Sequence, residues 1–173
     1  MAFTLYSATI PTYRQILGAV AGLLDKGEAF CTEKGLAPAE IIQARLAPDM
    51  FPFTYQVKST VAHSVGALEG VRQGVFKPDL TPPPDSFAAL RAMVAGAIET
   101  LAKVEAKDVD AFVGRDTRFE FGETRLPFTA EDFLLSFSLP NFYFHSTTAY
   151  DILRWKGVQI GKRDFMGKLR LKR

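Results

Sequence analysis

The side chains best suited to chemistry in this chain are its two histidines, His63 and His145. Asn141 lies four residues before His145, and on a helix this spacing places both side chains on one face about one turn apart. The same spacing is found where a helix offers two groups to one metal ion or ligand. The sequence therefore predicts that Asn141 and His145 act together, with His63 supplied by another helix.

Other polar residues share these helical faces. Gln56 and Thr60 precede His63 by seven and three residues, and Thr148 follows His145 by three, on faces that the neighbouring apolar residues predict to be buried. Helix bundles place ligand and metal sites between facing helices. We therefore expect one polar cavity lined by Gln56, Thr60, His63, Asn141, His145 and Thr148.

Three roles for this polar cluster are open. The histidines could be core-edge residues that only satisfy hydrogen bonds with Gln56, Asn141 or a hydroxyl, because buried polar groups need partners. The cavity could bind a small molecule without a metal. It could also bind a divalent metal ion, with His63, His145 and Asn141 as ligands.

Composition excludes several classes of protein. The chain has 173 residues, 47% hydrophobic and 23% charged, which is enough for one packed core. Its one cysteine, Cys31, cannot form an internal disulfide, and one cysteine with two histidines cannot build a zinc finger. The N-terminal segment lacks the pattern of a signal peptide, and no apolar run is long enough to span a membrane. We expect a single domain over residues 1–173, located in the cytoplasm.

The apolar spacing predicts helices at 12–34, 39–44, 54–73, 87–104 and 130–156, the last with a break or kink at Pro140. The proline-rich segment 76–85 predicts a stiff extended connection. Alternating apolar residues around Gly122 predict a β-hairpin near residues 117–128, with a structured loop as the alternative. The four long helices predict an all-α four-helix bundle. Its core should contain the aromatic residues Phe51, Phe53, Phe133, Phe137, Phe142 and Phe144, with Leu46 and Met50 plugging one end.

Charge is distributed unevenly along the chain. Residues 162–173 hold six basic residues and one acidic residue, whereas the remainder holds 15 basic and 18 acidic residues. No interleaved aromatic residues or recognition helix accompany this basic end. We predict a solvated basic tail from about residue 166 and do not expect nucleic-acid binding.

Three segments carry a family resemblance: RLAPDMFPF at 45–53, VAHSVGALEGV at 61–71 and LPNFYFHSTTAYDILRWKGVQIGKRDF at 139–165. They resemble an uncharacterised bacterial and fungal domain family that is grouped with the DinB/YfiT-like four-helix bundles. The resemblance covers nearly the whole chain. It implies a bundle with long crossover connections, usually assembled as a homodimer.

Better-known members of that superfamily carry a three-histidine metal site, and the resemblance implies where its ligands would fall. His63 matches the ligand on the second helix. The fourth helix supplies an H-x-x-x-H pair ahead of an LR-x-x-G-V ending, which LRWKGV at 153–158 matches. Counting back places His145 at the second histidine and Asn141 at the first. Because a neutral amide oxygen is a poor donor to zinc or nickel, this change predicts weaker metal binding.

The resulting hypothesis is a cytoplasmic, homodimeric DinB-like protein whose polar cavity binds a small ligand or a divalent metal such as zinc or nickel. The alternative is a non-catalytic dimerising module with a hydrogen-bonded polar core. If the protein is an enzyme, the resemblance implies a metal-dependent thiol transferase or hydrolase in which the two histidines bind the metal.

Overall fold

Long helices form most of the protein, whose computed structural model describes residues 3–172. The helices are α1 (Leu5–Lys34), α2 (Ala39–Ile42), α3 (Phe53–Val61), α4 (Ala67–Gln73), α5 (Phe87–Ala102), α6 (Ala106–Asp110), α7 (Ala130–Asp132), α8 (Leu139–Trp155) and α9 (Lys162–Met166), and the strands are β1 (Asp116–Phe121) and β2 (Thr124–Thr129). A π-helical turn, Ala62–Gly66, joins α3 to α4, and a second, Phe133–Ser138, joins α7 to α8. The expected mostly helical fold is confirmed.

The first helix starts earlier than its apolar spacing predicts, at Leu5 rather than at residue 12. Thr4 and Ser7 form a reciprocal capping box at its N-terminus, which satisfies backbone donors that would otherwise lack partners. Pro11 lies inside the helix, where Ile10 and Tyr13 on either side of it are fully buried. Burial of these neighbours therefore offsets the usual cost of a proline in a helix.

The segment around Pro140 is continuous rather than broken. Pro140 is the second residue of α8, and the π-helical turn Phe133–Ser138 runs directly into that helix. Irregular geometry within a helix occurs at prolines and at π turns, and here the two are adjacent. The wider π turn thus takes the place of the predicted break.

The helices pack in pairs that determine where the histidines lie. Helix α3 packs along α8, and α1 packs along α5. Apolar residues from all four helices form one buried core, which includes Leu17, Val57, Leu90 and Ile152. The α3–α8 pair brings the helix that leads to His63 face to face with the helix that carries His145.

The hairpin predicted near residues 117–128 is confirmed as a two-stranded antiparallel sheet. Asp116 pairs with Thr129 and Phe121 with Thr124, while Gly122 in the turn has a φ of 57°. The backbone of Phe76 joins this hairpin: its N–H donates to the Arg118 carbonyl at 2.8 Å and its carbonyl accepts from the Glu120 N–H at 2.9 Å. These bonds fix the start of the proline-rich segment 76–85, called here the strap.

The aromatic core differs from the prediction at two positions. Phe53, Phe133 and Phe142 are buried as expected, but Phe51 and Phe144 are 56% and 55% exposed. The residues expected to plug one end are also partly open, since Leu46 is 40% exposed and Met50 is half-buried. Placing these side chains in the core was therefore wrong, because the loop before α3 and one side of α8 face outward.

None of the helices within residues 3–172 combines the length and the apolar character needed to cross a bilayer.

Candidate functional site

The two histidines lie opposite each other where the π turn after α3 meets α8. His63 belongs to the π turn Ala62–Gly66 and His145 to α8. Their ring centres are 5.8 Å apart, and the ring planes differ by 14°. Two residues separated by 82 positions in the sequence thus present their imidazoles to one place.

A hydrogen-bond chain fixes the orientation of His145. The Nδ1 atom lies 2.7 Å from Oε1 of Gln56, and Nε2 of Gln56 donates to the Phe51 carbonyl at 2.9 Å. A carbonyl can only accept, so the amide nitrogen of Gln56 must face Phe51 and its oxygen must face the ring. We therefore assign the proton of His145 to Nδ1, which leaves a free lone pair on Nε2.

Ser138 orients His63 in a similar way. Its hydroxyl donates to the backbone carbonyl of His63 at 3.0 Å, and the same oxygen lies 3.3 Å from Nδ1 of the ring. With its single hydrogen given to the carbonyl, the hydroxyl accepts from Nδ1–H. His63 and Ser138 both come from the π turns, which often occur at functional sites because they redirect side chains. Nε2 of His63 is again the nitrogen with the free lone pair.

Both rings are uncharged at neutral pH. Burial lowers the pKa of His145 to about 4. Burial, with a smaller contribution from the nearby His145, also lowers the pKa of His63 to about 4. A neutral imidazole with its Nδ1–H engaged is an acceptor and a metal ligand through Nε2. The site therefore presents two lone pairs rather than two positive charges.

The imidazoles line a cavity of about 200 Å³ together with Asn141. The Nδ2 atom of Asn141 donates to the Phe137 carbonyl at 2.8 Å, which leaves its Oδ1 free to accept. Tyr55 from α3 also lines the cavity, and its ring meets that of His145 edge to face at 6.1 Å. Three residues that line this small space thus each carry one acceptor atom without a partner among the described residues.

A buried lysine and a carboxylate complete the wall. The side chain of Lys58 is 9% exposed, and its Nζ lies 3.0 Å from Oδ2 of Asp79 on the strap. The same Nζ donates to the backbone carbonyls of Asp79 at 3.0 Å and Thr81 at 2.5 Å. The Thr81 N–H also holds the carboxylate and, together with Lys58, lowers the pKa of Asp79. The amine is therefore occupied in anchoring the strap over the cavity.

Helical spacing alone could not place Lys58 and Asp79 in this wall. No Asp or Glu stands three or four residues from His145 along the helix, and Asp79 reaches the cavity from the strap instead. One signal was available, because Lys58 interrupts the buried face of a helix at a position next to Val57. A lysine on such a face needs a partner, since burial of an unpaired charge is costly.

Three of the six predicted lining residues, His63, Asn141 and His145, line this cavity. Gln56 and Thr60 lie behind it in the core, and the Thr60 hydroxyl donates to the Gln56 carbonyl at 2.9 Å. Thr148 lies in a separate surface depression with Leu46 and Tyr143, and its hydroxyl donates to the Phe144 carbonyl. Asn141 and Thr148 are seven residues apart, about 10 Å along the helix, so a cavity of this size does not reach both.

The donor set suits a divalent metal only in part. Two imidazoles that bind one zinc ion, each at about 2.0–2.1 Å, place their ring centres roughly 5–6 Å apart, which matches the observed separation. Residues 3–172 contain no group of three His, Cys, Asp or Glu side chains arranged to hold a metal. The third ligand would therefore be the neutral oxygen of Asn141, a weak donor to zinc or nickel.

Comparison with known proteins places the fold and the site in context. Residues 5–166 match the domain of unknown function DUF1993. The chain belongs to the DUF1993 family. No curated protein matches it significantly. It is also similar to a solved crystal structure, that of a DinB family member protein from Shewanella denitrificans, at 26% sequence identity and a TM-score of 0.81, over 98% of this chain and 95% of that chain.

The DUF1993 match and the DinB neighbour confirm the resemblance seen in the sequence. The match covers the strap as well as the helices that supply His63, His145 and Asn141. The chain is therefore a DinB-like member of the DUF1993 family, and helices, π turns and the strap line its small cavity with two neutral histidines.

Proposed function

We propose that the two-histidine cavity binds a small ligand that offers hydrogen-bond donors or positive charge. His63, His145 and Asn141 line the cavity, and Nε2 of each ring and Oδ1 of the amide have no hydrogen-bond partner among the described residues. This convergence of acceptors is the observation that carries the proposal. A ligand with amine, guanidinium or hydroxyl groups, or a cation, would satisfy them, whereas an anion would not.

The size of the cavity restricts the ligand. A volume of about 200 Å³ is below the roughly 300–1,000 Å³ of pockets for drug-sized ligands. The ligand, or the part of it that enters, therefore has only a few non-hydrogen atoms. The nearby aromatic rings of Phe76 and Phe137, whose centres lie 5.4 Å and 5.9 Å from that of His63, exclude water from one side. Hydrogen bonds made in this setting are stronger than in open water.

A divalent metal ion is the second candidate for this site. The Nδ1–H bonds to Gln56 and Ser138 are the arrangement that orients histidine ligands in metal sites. His63, His145 and Asn141 would then be the ligands, with zinc or nickel bound weakly. A bound metal could supply Lewis-acid chemistry of the kind used by thiol transferases and hydrolases.

Changing the number of imidazoles tests the metal candidate. With zinc alone as the probe, isothermal titration calorimetry should show weak binding to the wild type and at least about tenfold tighter binding to Asn141→His, because the new imidazole joins the other two. Thr148→His is the matched control: it adds a histidine to the same helix outside the cavity and should not change zinc affinity. Equal tightening in both variants would refute metal binding at this site.

Binding of a small donor is tested with methylguanidinium followed by ¹H–¹⁵N NMR of the imidazole nitrogens. The proposal predicts that both free rings carry the proton on Nδ1 at pH 7 and that the probe shifts the Nε2 resonances. His63→Gln and His145→Gln should each weaken the response. If neither zinc nor methylguanidinium changes either Nε2 signal, the polar cluster serves only the structure of the core.

We further propose a four-helix bundle that assembles as a homodimer. An exposed apolar surface supports assembly: Leu46, Tyr143 and Phe144 are 40%, 39% and 55% exposed around one depression next to Pro140. Exposed apolar patches of this kind mark protein interfaces. Phe144→Asp should convert a dimer to a monomer in sedimentation experiments. A wild type that is monomeric at high concentration would refute the dimer.

A further inference from the structure

A second, larger cavity adjoins the histidine cavity, and a few residues line both. Its volume is about 780 Å³, and it shares Tyr55, Pro78 and Asp79 with the histidine cavity. The strap contributes residues 78–83 to its lining, and the loop before α3 contributes Arg45 and Phe51. The volume falls within the range of roughly 300–1,000 Å³ that is usual for small-molecule sites.

The walls of this cavity are mainly apolar and open to solvent. Phe51 is 56% exposed, Phe121 52% and Leu80 76%, and all three line the cavity. The ring of Phe51 stacks on that of Tyr55 at 4.0 Å, so it is held in place although it is exposed. A ligand with an apolar body would cover these side chains and remove their surface from water.

Only two of the lining residues carry a charge, and only one of the two charges is neutralised. Asp79 is paired with Lys58 and accepts the Thr81 N–H. Arg45 donates one N–H to the Met50 carbonyl at 2.6 Å, and no carboxylate within residues 3–172 forms an ion pair with it. The guanidinium therefore has free donors and an uncompensated positive charge at the cavity. A single negative charge on the ligand would complement it.

The cavity is formed before any ligand arrives. Lys58 holds the strap through Asp79 and Thr81, and the Thr54 hydroxyl donates to the Pro84 carbonyl. Consecutive prolines at 82–84 restrict the backbone of the strap further. A wall that is already ordered loses little conformational freedom on binding, which favours affinity.

From these observations we infer that the larger cavity binds an apolar monocarboxylate, with the hydrocarbon against Phe51, Leu80 and Phe121 and the carboxylate on Arg45. This inference is separate from the proposed function of the histidine cavity, because none of its contacts uses His63, His145 or Asn141. The shared wall at Tyr55 and Asp79 places the two sites side by side.

Calorimetric titration with decanoate, decanol and decylamine tests the inference on the intact chain. Decanoate should bind most tightly and decylamine least tightly, since the three differ in charge but share the same hydrocarbon. Shortening the carboxylate from decanoate to octanoate should weaken binding by up to about tenfold, because two buried methylenes are lost. Equal affinities for all three compounds, or no saturable binding of decanoate, would overturn the inference.

Two variants locate the binding. Arg45→Gln should weaken the binding of decanoate by about fivefold, as expected for an exposed charge pair, and leave the binding of decanol unchanged. Arg14 is an exposed arginine on α1, and Arg14→Gln should change the affinity for neither compound. Leu80→Asp should weaken the binding of decanoate. Leu171, at 77% exposure against 76% for Leu80, is the matched position, and Leu171→Asp should leave decanoate binding unchanged.

The stability of each variant is checked by thermal unfolding. If Arg45→Gln fails to fold, Leu80→Asp provides the test of where decanoate binds. His63→Gln should leave decanoate binding intact, which separates this inference from the proposed function. If Leu80→Asp dissociates a dimer and decanoate does not bind, a second copy of the chain covers the cavity and the inference is wrong.

Discussion

Mild acid should destabilise this protein through its two buried histidines. The pKa of each imidazole falls from 6.5 to about 4 on folding, so the unfolded chain takes up these protons at a higher pH than the folded chain. The stability from the neutral rings is therefore fully present above about pH 6.5 and is lost as the pH falls toward 4. Below the folded pKa values, no further loss comes from these groups.

The size of the effect follows from the width of this pH window. Each pH unit below the pKa of the unfolded state lowers the free energy of unfolding by about 1.4 kcal/mol per histidine, until the folded ring also takes up its proton. Going from pH 7 to pH 5 crosses about 1.5 such units, so each histidine should remove about 2 kcal/mol from the free energy of unfolding. That is a large share of the roughly 5–15 kcal/mol by which typical domains are stable.

Urea denaturation followed by circular dichroism at pH 7, 6 and 5 measures this loss. A His63→Gln/His145→Gln double variant is the comparison, because glutamine does not titrate. Glutamate and aspartate side chains ordinarily titrate at about pH 4, below this window. Hydrogen bonds from Arg118 and Lys77 lower the pKa of Glu120 further, to about 2. The wild type should lose clearly more stability than the double variant between pH 7 and pH 5. Equal losses would show that the histidines are not buried as neutral rings.

Three further predictions concern the support of the site. Gly70→Ala should destabilise the fold by about 1–3 kcal/mol, because its Cβ would lie 2.8 Å from Cβ of Phe76. Lys58→Met should cost about 1–3 kcal/mol and speed amide hydrogen exchange in the strap around Thr81, because the strap loses its anchor. Gln56→Leu should cost about 2–3 kcal/mol, since it leaves a backbone carbonyl and an imidazole N–H buried without partners.

Each of these changes has a matched control for the same unfolding measurement. The Cβ added by Gly66→Ala would lie 3.8 Å from Cε2 of Phe76, an ordinary contact distance. This variant should therefore leave the stability of the fold unchanged or raise it by about 0.5–1 kcal/mol. Lys77→Met breaks an ion pair with Glu120, but the lysine is 65% exposed, so less than about 1 kcal/mol should be lost. Gln159→Leu removes an exposed side-chain bond to the backbone and should have little effect. Equal costs in a variant and its control would refute the corresponding contact.

Sequence patterns located the elements well because those patterns are local. The spacing of Val57, Val61 and Leu68 follows from the helical repeat, and the alternation around Gly122 follows from the strand repeat. The same logic placed Asn141 and His145 on one face of α8. It also ended α1 correctly, since Gly35 adopts the left-handed conformation (φ 64°) that terminates a helix at a glycine.

Local patterns gave no information on exposure at the edges of the fold. Phe51 and Phe144 are aromatic and were therefore expected in the core, yet both lie mostly in solvent. The hydrophobicity of a side chain determines how much free energy its burial would release. Whether another segment covers that side chain depends on the path of the chain in the folded protein. Thr148 shows a similar limit of local patterns: it lies on the helical face that spacing predicted, but the tertiary structure does not bring it to the cavity.

The sequence by itself determined which helices carry the polar residues and which of these residues share a helical face, because side-chain direction on a helix follows from spacing. Only the tertiary structure decided that the rings of His63 and His145 meet at 5.8 Å, that Gln56 and Ser138 hold their Nδ1 atoms, and that the strap brings Asp79 to Lys58. These contacts join residues 21 to 89 positions apart. They depend on how helices cross and where a connecting segment runs, which no single stretch of sequence encodes.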